Sequence, residues 1–201
     1  MEGIYFYWFF WIAWIYTTFL LEKTQKRVSI SLVLLLFIIF SDKHINVNDL
    51  LVNTTTLLCL LVGYLLVSRK KMGTLFYYLS VSLILTSSYV TFRLFQLYDP
   101  VWVMFHPTMK LALILLILII ILIREQSIRI GLLFIGVAQG EIVYTLFLNK
   151  IVPQPVLGQL ESLDIIAITA GISFLWFGFE KMVAILDDYV KQRTILSSSK
   201  K

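Results

Sequence analysis

The sequence holds few of the groups from which soluble active sites are made. Its 201 residues include one cysteine and two histidines. Cys59 has no second thiol for an intramolecular disulfide and no Cys or His neighbour at metal-ligand spacing, so it reads as an inert residue within an apolar block. His44 and His106 stand in different loops without a third ligand, a weak basis for zinc. HExxH, GxSxG, Walker and CxxC motifs are all missing. No arginine ladder marks a voltage sensor. No lysine lies mid-way along the third or seventh apolar block to bind retinal, the nearest being Lys181 at a block end. Catalytic, metal and cofactor-binding residues are therefore not expected. Arg-rich helices and Gly-rich loops are also missing, which removes nucleic acid as a partner. The longest polar stretches are loops of about a dozen residues and a tail of about 20, too short for a soluble domain of about 50 residues or more. The start, Met1-Glu2-Gly3, has neither the basic region nor the small-residue cleavage site of a signal peptide.

What the chain does have is apolar sequence. Hydrophobic residues make up 59%, and the mean hydropathy is +0.88. A soluble domain averages about 45–50% apolar residues. The excess falls in blocks, and a bilayer core about 30 Å thick takes roughly 20 apolar residues in a helix. The blocks predict an all-α bundle of seven transmembrane helices, at about 4–21, 26–41, 50–67, 72–97, 107–123, 128–148 and 163–186, with a cytoplasmic tail over 187–201. The tail is expected to fray and then lose order. Span 2 is short. The 13 residues from Val28 to Phe40 give only about 20 Å of helix, so it must borrow from Gln25 to Arg27 or thin the bilayer. Span 1 carries ten aromatics between Tyr5 and Phe19. They read as an interfacial anchor rather than a cage for a cation.

Charge sets the expected orientation. The net charge is +5, and the first basic residues, Lys23, Lys26 and Arg27, follow the first span. With the N-terminus outside and the C-terminus in the cytoplasm, 13 of the 17 basic residues fall on the cytoplasmic side, as the positive-inside bias requires. Lys43, Arg93, Lys110 and Lys150 fall on the outer side. A re-entrant span 2 would carry Arg69, Lys70 and Lys71 outside, so the charges favour seven crossings.

Ionisable residues within spans are costly and usually face the interior. Arg93, Glu141, Gln139, Asn53 and Asp164 form a predicted polar cluster in the outer half of the bilayer, with Glu161, His106 and Lys110 at its rim. The cytoplasmic half reads as nearly all apolar. Arg93 and Glu141 either line a cavity for an ion or small ligand, or form a salt bridge that locks span 4 to span 6, and the lock is the simpler reading. Gly136 and Gly140 make a GxxxG on span 6, and Ala167 and Gly171 repeat the small-residue spacing on span 7. Such faces let helices approach closely, so spans 6 and 7 are expected to pack together, or span 6 to dimerise. The loop from Tyr98 to Met109, with Trp102 and Phe105, is expected to fold back onto the membrane surface. Asn53-Thr54-Thr55 matches a glycosylation sequon but lies too close to the membrane to be used.

The opening Met1-Glu2-Gly3-Ile4-Tyr5-Phe6-Tyr7-Trp8-Phe9, then Trp11, Trp14 and a basic loop, resembles the YphA-type small membrane proteins of spore-forming bacilli. The length of about 200 residues is similar too. The resemblance implies the cytoplasmic membrane of a bacterium and carries no activity, cofactor or site residue with it. The expected function is non-enzymatic, through a membrane-protein or lipid partner or a homodimer, as a scaffold, sensor or accessory subunit. The alternatives are a small transporter or channel with an outward-facing polar cavity around Arg93 and Glu141, and a lipid-modifying enzyme using Glu141, His106 or Asp164 as acid or base.

Overall fold

A computed structural model describes residues 2–47, 50–68, 70–99, 106–151 and 154–198. The predicted loop residues Trp102 and Phe105, and the basic residues Arg69, Lys200 and Lys201, lie outside the described residues.

One helix organises the rest. Helix α6 (Gln126–Leu148) is buried at every position from Gly131 to Ala138. A helix that is apolar all round belongs at the centre of its bundle. Around it stand α3 (Thr54–Ser68), α4 (Met72–Tyr98), α5 (Pro107–Leu122) and α7 (Leu160–Ser198), with α1 (Ile4–Ile15) and α2 (Gln25–Phe40) packed beyond. Helix α1 continues as a π-helical turn over Tyr16–Leu20. The outer faces stay apolar: Trp8 is 67% exposed, Phe76 75% and Leu175 73%. Large apolar side chains rarely face water in such numbers on a soluble monomer.

The helices alternate in direction. Tyr7 bonds to Ser41 and Thr18 to Ser31, so α1 and α2 run antiparallel. Thr86 and Tyr89 of α4 meet Gln139 and Glu141 of α6 in the same order, and Thr108 and Ala112 of α5 meet Glu161 and Thr169 of α7. Helices α1, α3, α5 and α7 therefore all begin at one end, where α2, α4 and α6 finish. At that end sits a small sheet, ordered β1–β2–β3. Strands β1 (His44–Val47) and β2 (Leu50–Asn53) pair antiparallel, and β3 (Val156–Leu157) joins β2 in parallel.

Several expectations change. Span 3 does not begin as helix at Leu50, because Leu50–Asn53 is strand β2 and the helix starts at Thr54. The β-branched and amide-bearing residues before Thr54 suit an extended strand and a cap better than a first helical turn. Helix α7 starts at Leu160 and runs to Ser198, so the tail from residue 187 continues the helix instead of fraying. Three helices, Met72–Tyr98, Gln126–Leu148 and Leu160–Asp187, are long and apolar enough to cross a membrane, while Ile4–Leu20, Thr54–Ser68 and Pro107–Leu122 are apolar but shorter.

Glycines set the closest approaches. A Cβ on Gly136 would come within 2.6 Å of Leu85, and one on Gly140 within 2.6 Å of Tyr89. The GxxxG thus serves the α4–α6 contact inside the chain rather than α7 or a second copy. Gly171 lies against Phe9 of α1, and Ala167 is buried in the core. Gly63 of α3 and Gly131 of α6 oppose each other, and a Cβ on Gly63 would stand 2.7 Å from Ile135 and 2.8 Å from the Gly131 carbonyl.

The far end is also tied by polar groups. Arg129 is buried, and its Nε donates to the Ile123 carbonyl at 2.7 Å, satisfying a carbonyl left open where α5 ends. Gln126 and the buried Ser173 hydrogen-bond each other. The half expected to be cytoplasmic is therefore not all apolar, and Arg129 is a structural residue as well as a charge. Lys70 and Glu125 meet at 2.5 Å between two neighbouring loops. The hydrogen bond that Lys70 donates to Glu125 holds its ammonium above the ordinary pKa, though an exposed pair adds little stability.

Gly63→Ala is expected to destabilise the bundle by about 1–3 kcal/mol through overpacking. Gly178→Ala, with open space around its Cβ position, should stabilise α7 by about 0.5–1 kcal/mol. Thermal unfolding in detergent measures both, and equal melting of the two variants would show that glycine contacts do not set the α3–α6 approach.

Candidate functional site

Arg93 lies in the penultimate turn of α4, and Tyr89 one turn before it on the same inward face. Arg93 is 4% exposed, Tyr89 0% and Glu141 2%. A guanidinium cannot shed its proton in a protein, so burying it demands counter-charge. Three groups respond. Nη1 donates to Glu161 Oε2 at 2.6 Å, Nη2 to Glu141 Oε1 at 3.5 Å, and Nε to the Tyr89 hydroxyl at 3.2 Å. The rings of Tyr89 and Tyr144 flank the guanidinium at 5.7 and 5.6 Å, a favourable cation–π arrangement. The Tyr89 hydroxyl in turn donates to Glu141 Oε1 in a very short contact.

Glu141 also receives the backbone N–H of Gly158 at 3.2 Å. Gly158 follows β3 directly, has φ +82°, and a Cβ there would stand 2.0 Å from the Thr56 hydroxyl. Only glycine fits this backbone at this distance. The strand pairing of β3 with β2 thus delivers an N–H to a buried carboxylate. Among the described residues, the groups hydrogen-bonded to Glu141 are donors, as are those bonded to Glu161, which takes Thr108 Oγ1 at 3.3 Å on its second oxygen. Carboxylate oxygens accept from such donors. Two acids therefore share one guanidinium.

The predicted cluster divides. Arg93 and Glu141 come together, but the tighter partner of Arg93 is Glu161, which the sequence placed only at the rim. Asp164 belongs elsewhere: its two oxygens accept the backbone N–H groups of Gly3 and Phe6, each at 2.7 Å. It caps α1 from a distant helix, at the positive end of that helix's dipole, and Gly3 is left-handed at φ +88°. Asn53 donates to the Ser41 carbonyl at 2.7 Å and accepts from Thr55 N at 2.8 Å. It joins the end of α2 to the start of α3, and its 1% exposure leaves no room for a glycan. Gln139 accepts from Thr86 and donates to Tyr64, tying α3, α4 and α6 one turn deeper. The residues the sequence reading missed are Tyr89, Tyr144 and Gly158. Tyr89 was legible four residues before Arg93, since such pairs share a helix face.

Two spaces border the cluster. An open cleft of about 560 Å³ is lined by Glu2, Tyr5, His106, Thr108, Glu161 and Asp164 among others, so Glu161 has one side in the cleft and the other on Arg93. The gap beside Glu141, where Thr56, Cys59 and Ser162 also meet, has no room for a water-sized sphere. Among the described residues, no three His, Cys, Asp or Glu side chains are placed to hold a metal ion.

A family model described as YphA-like integral membrane protein matches residues 2–198. The chain belongs to the YphA-like integral membrane protein family. It is 32% identical over 186 residues to a Bacillus subtilis (strain 168) protein described as uncharacterized protein YphA, which covers 90% of this chain and 88% of that one. No solved structure matches the chain. Family membership makes this an integral membrane protein, which accounts for its exposed apolar faces. The matched length takes in the whole cluster, from Tyr89 to Glu161.

Removing the guanidinium leaves the buried Glu141 and the cleft-edge Glu161 without counter-charge. Arg93→Gln is expected to cost about 3–5 kcal/mol, and Tyr89→Phe, which removes one donor to Glu141, about 1–3 kcal/mol. The readout is thermal unfolding in detergent, and an Arg93→Gln protein that melts like the parent would refute a buried, neutralised guanidinium.

Proposed function

We propose that this is a non-enzymatic membrane protein that crosses the bilayer seven times, with its N-terminus outside, its C-terminus in the cytoplasm, and its action exerted through a protein or lipid partner. The observation that carries the reading is the sealing of the deep charges. Arg93 and Glu141 are consumed by each other, by Glu161, by two tyrosines and by a loop N–H, and the space beside Glu141 admits no water. A transporter needs a wet path and a hydrolase needs water at its acid. Neither is supported by this packing, which leaves the outer surfaces as the working parts.

The alternating helix directions and the basic end support seven crossings in the stated orientation. Lys23, Lys26, Arg27, Lys70, Lys71 and Arg124 all lie at the end opposite the cluster. Helices of 15 to 17 residues give about 23–26 Å, less than a bilayer core of about 30 Å. Local thinning and snorkelling basic side chains absorb such a shortfall at modest cost. The 39 residues of α7 span about 58 Å, far more than the bilayer needs, so its last turns stand in the cytoplasm as a helical rod that fits a partner-facing role. The setting is the bacterial cytoplasmic membrane.

The second reading, a small transporter, has one observation in its favour, the cleft that reaches Glu161. A single-cysteine experiment separates the two. In a Cys59→Ala background, Ser162→Cys is expected to resist a membrane-impermeant thiol reagent in native membranes and to react after denaturation. Rapid native labelling would make the gap beside Glu141 water-filled and favour transport. In the same background, cysteines at Lys43 and Lys150 should label from outside and one at Lys71 from inside, and the reverse pattern would overturn the orientation.

A further inference from the structure

The end opposite the Arg93 cluster carries a surplus of positive charge. Lys70 and Lys71 stand in the loop from α3 to α4, and Arg124 in the loop from α5 to α6. The Lys70–Glu125 ion pair pins the two loops together. The Tyr77 hydroxyl, near the start of α4, donates to the Leu122 carbonyl at 2.6 Å, which fixes the foot of α4 to the end of α5. Lys71 and Arg124 are exposed. Glu125 is taken by Lys70, and Glu180 by Arg129 and the Trp176 indole N–H. Among the described residues, neither Lys71 nor Arg124 has a carboxylate within ion-pair distance. Three cations and one carboxylate thus meet at the foot of the α4–α5 seam, a surplus of two positive charges.

Beyond this foot both helices show apolar side chains. Tyr77 and Ile84, seven apart on α4, are exposed, as are Ile117 and Ile121, one turn apart on α5. Gly73, one turn before Tyr77, has nothing within 4 Å of the place a Cβ would take, so the backbone there is open to approach. Family membership sets these surfaces in lipid. A phospholipid at this place puts its phosphate level with the loop cations and its chains against the apolar side chains. Arg offers a phosphate a planar fork of donors, and Lys adds a point charge.

We propose that the foot of the α4–α5 seam binds an anionic phospholipid: Lys71 and Arg124 hold its phosphate, and its acyl chains run along Tyr77, Ile84, Ile117 and Ile121. Charge complementarity selects the lipid class. A zwitterionic lipid brings an ammonium of its own to a foot already two charges positive, whereas a lipid of net negative charge offsets part of that surplus. Basic pockets between helices at a membrane surface recognise lipid headgroups in this way. Lys23 and Lys26 are also exposed at this end. They come from one turn, between α1 and α2, rather than from two loops converging on a seam, and so provide the comparison. The site gives the partner reading above its lipid, and it rests on that reading in setting this end at a membrane surface.

The full-length protein in a neutral detergent is the sample. The probes, at equal concentration, are dihexanoyl phosphatidylglycerol, dihexanoyl phosphatidylcholine and inorganic phosphate. A ligand that binds the folded state raises the melting temperature. Phosphatidylglycerol is expected to raise it by several degrees, and the other two probes are not. Lys71→Gln combined with Arg124→Gln should remove most of the shift, and Lys23→Gln combined with Lys26→Gln should keep it. No rise with phosphatidylglycerol overturns the site, and an equal rise with phosphatidylcholine overturns the charge selection on which it stands. An equal rise with inorganic phosphate makes it a site for a soluble anion and overturns the lipid. A shift that persists without Lys71 and Arg124, or that vanishes as fully without Lys23 and Lys26, spreads binding over the whole basic end and overturns the seam. If the double variant does not fold, each single change should weaken the shift, and an undiminished shift in both single variants overturns the proposal. The lipid is added in detergent, so the result does not depend on orientation. Labelling of residue 71 from outside would overturn the topology and leave this site standing, while a missing phosphatidylglycerol effect would remove the site and leave the topology.

Discussion

A guanidinium enclosed among apolar helices must be neutralised and hydrogen-bonded, and much of the polar architecture at one end follows from that demand on Arg93. Glu161 comes from α7, Glu141 from α6, Tyr89 from α4 itself, and Thr108 from α5 secures Glu161. The buried carboxylate that helps neutralise Arg93 then needs donors of its own. The Gly158 N–H meets part of that need, which requires a loop to fold back and a glycine to let it approach. One charge thereby joins four helices and a strand pair.

The same end shows how a membrane bundle manages helix termini. Asp164 caps α1 from 158 residues further along the chain, and Asn53 holds the exit of α2 to the entry of α3. At the far end, Arg129 performs the corresponding task for the Ile123 carbonyl, where α5 ends. In lipid an open N–H or carbonyl has no water to turn to, so these polar residues are structural necessities. They are also why a polar residue in a span is not by itself a binding site.

Much of the fold was legible in the sequence. The blocks of apolar residues matched helices α1, α2, α4, α5 and α6 to within a few residues, because helix length and hydropathy are local quantities. The errors lay where a tertiary partner decides. Leu50–Asn53 is as apolar as a span, but pairing with β1 and β3 makes it a strand. The residues after 186 looked like a tail, yet α7 continues without a break, since that polar stretch has no proline or glycine to stop it. The GxxxG was visible, but its partner was not: small residues announce a close approach and not the helix that makes it.

At the candidate site the sequence by itself determined the ingredients: one arginine and a few acids too costly to leave in lipid, located by depth in one half of the bundle. Depth follows from position along a helix, so it can be counted. The tertiary structure alone decided the pairing, giving Arg93 to Glu161 and Glu141, Asp164 to the start of α1, and Gln139 to Tyr64 and Thr86. Residues at equal depth on different helices are told apart only by how each helix is rotated and which neighbour it meets, and that depends on the packing of all seven together.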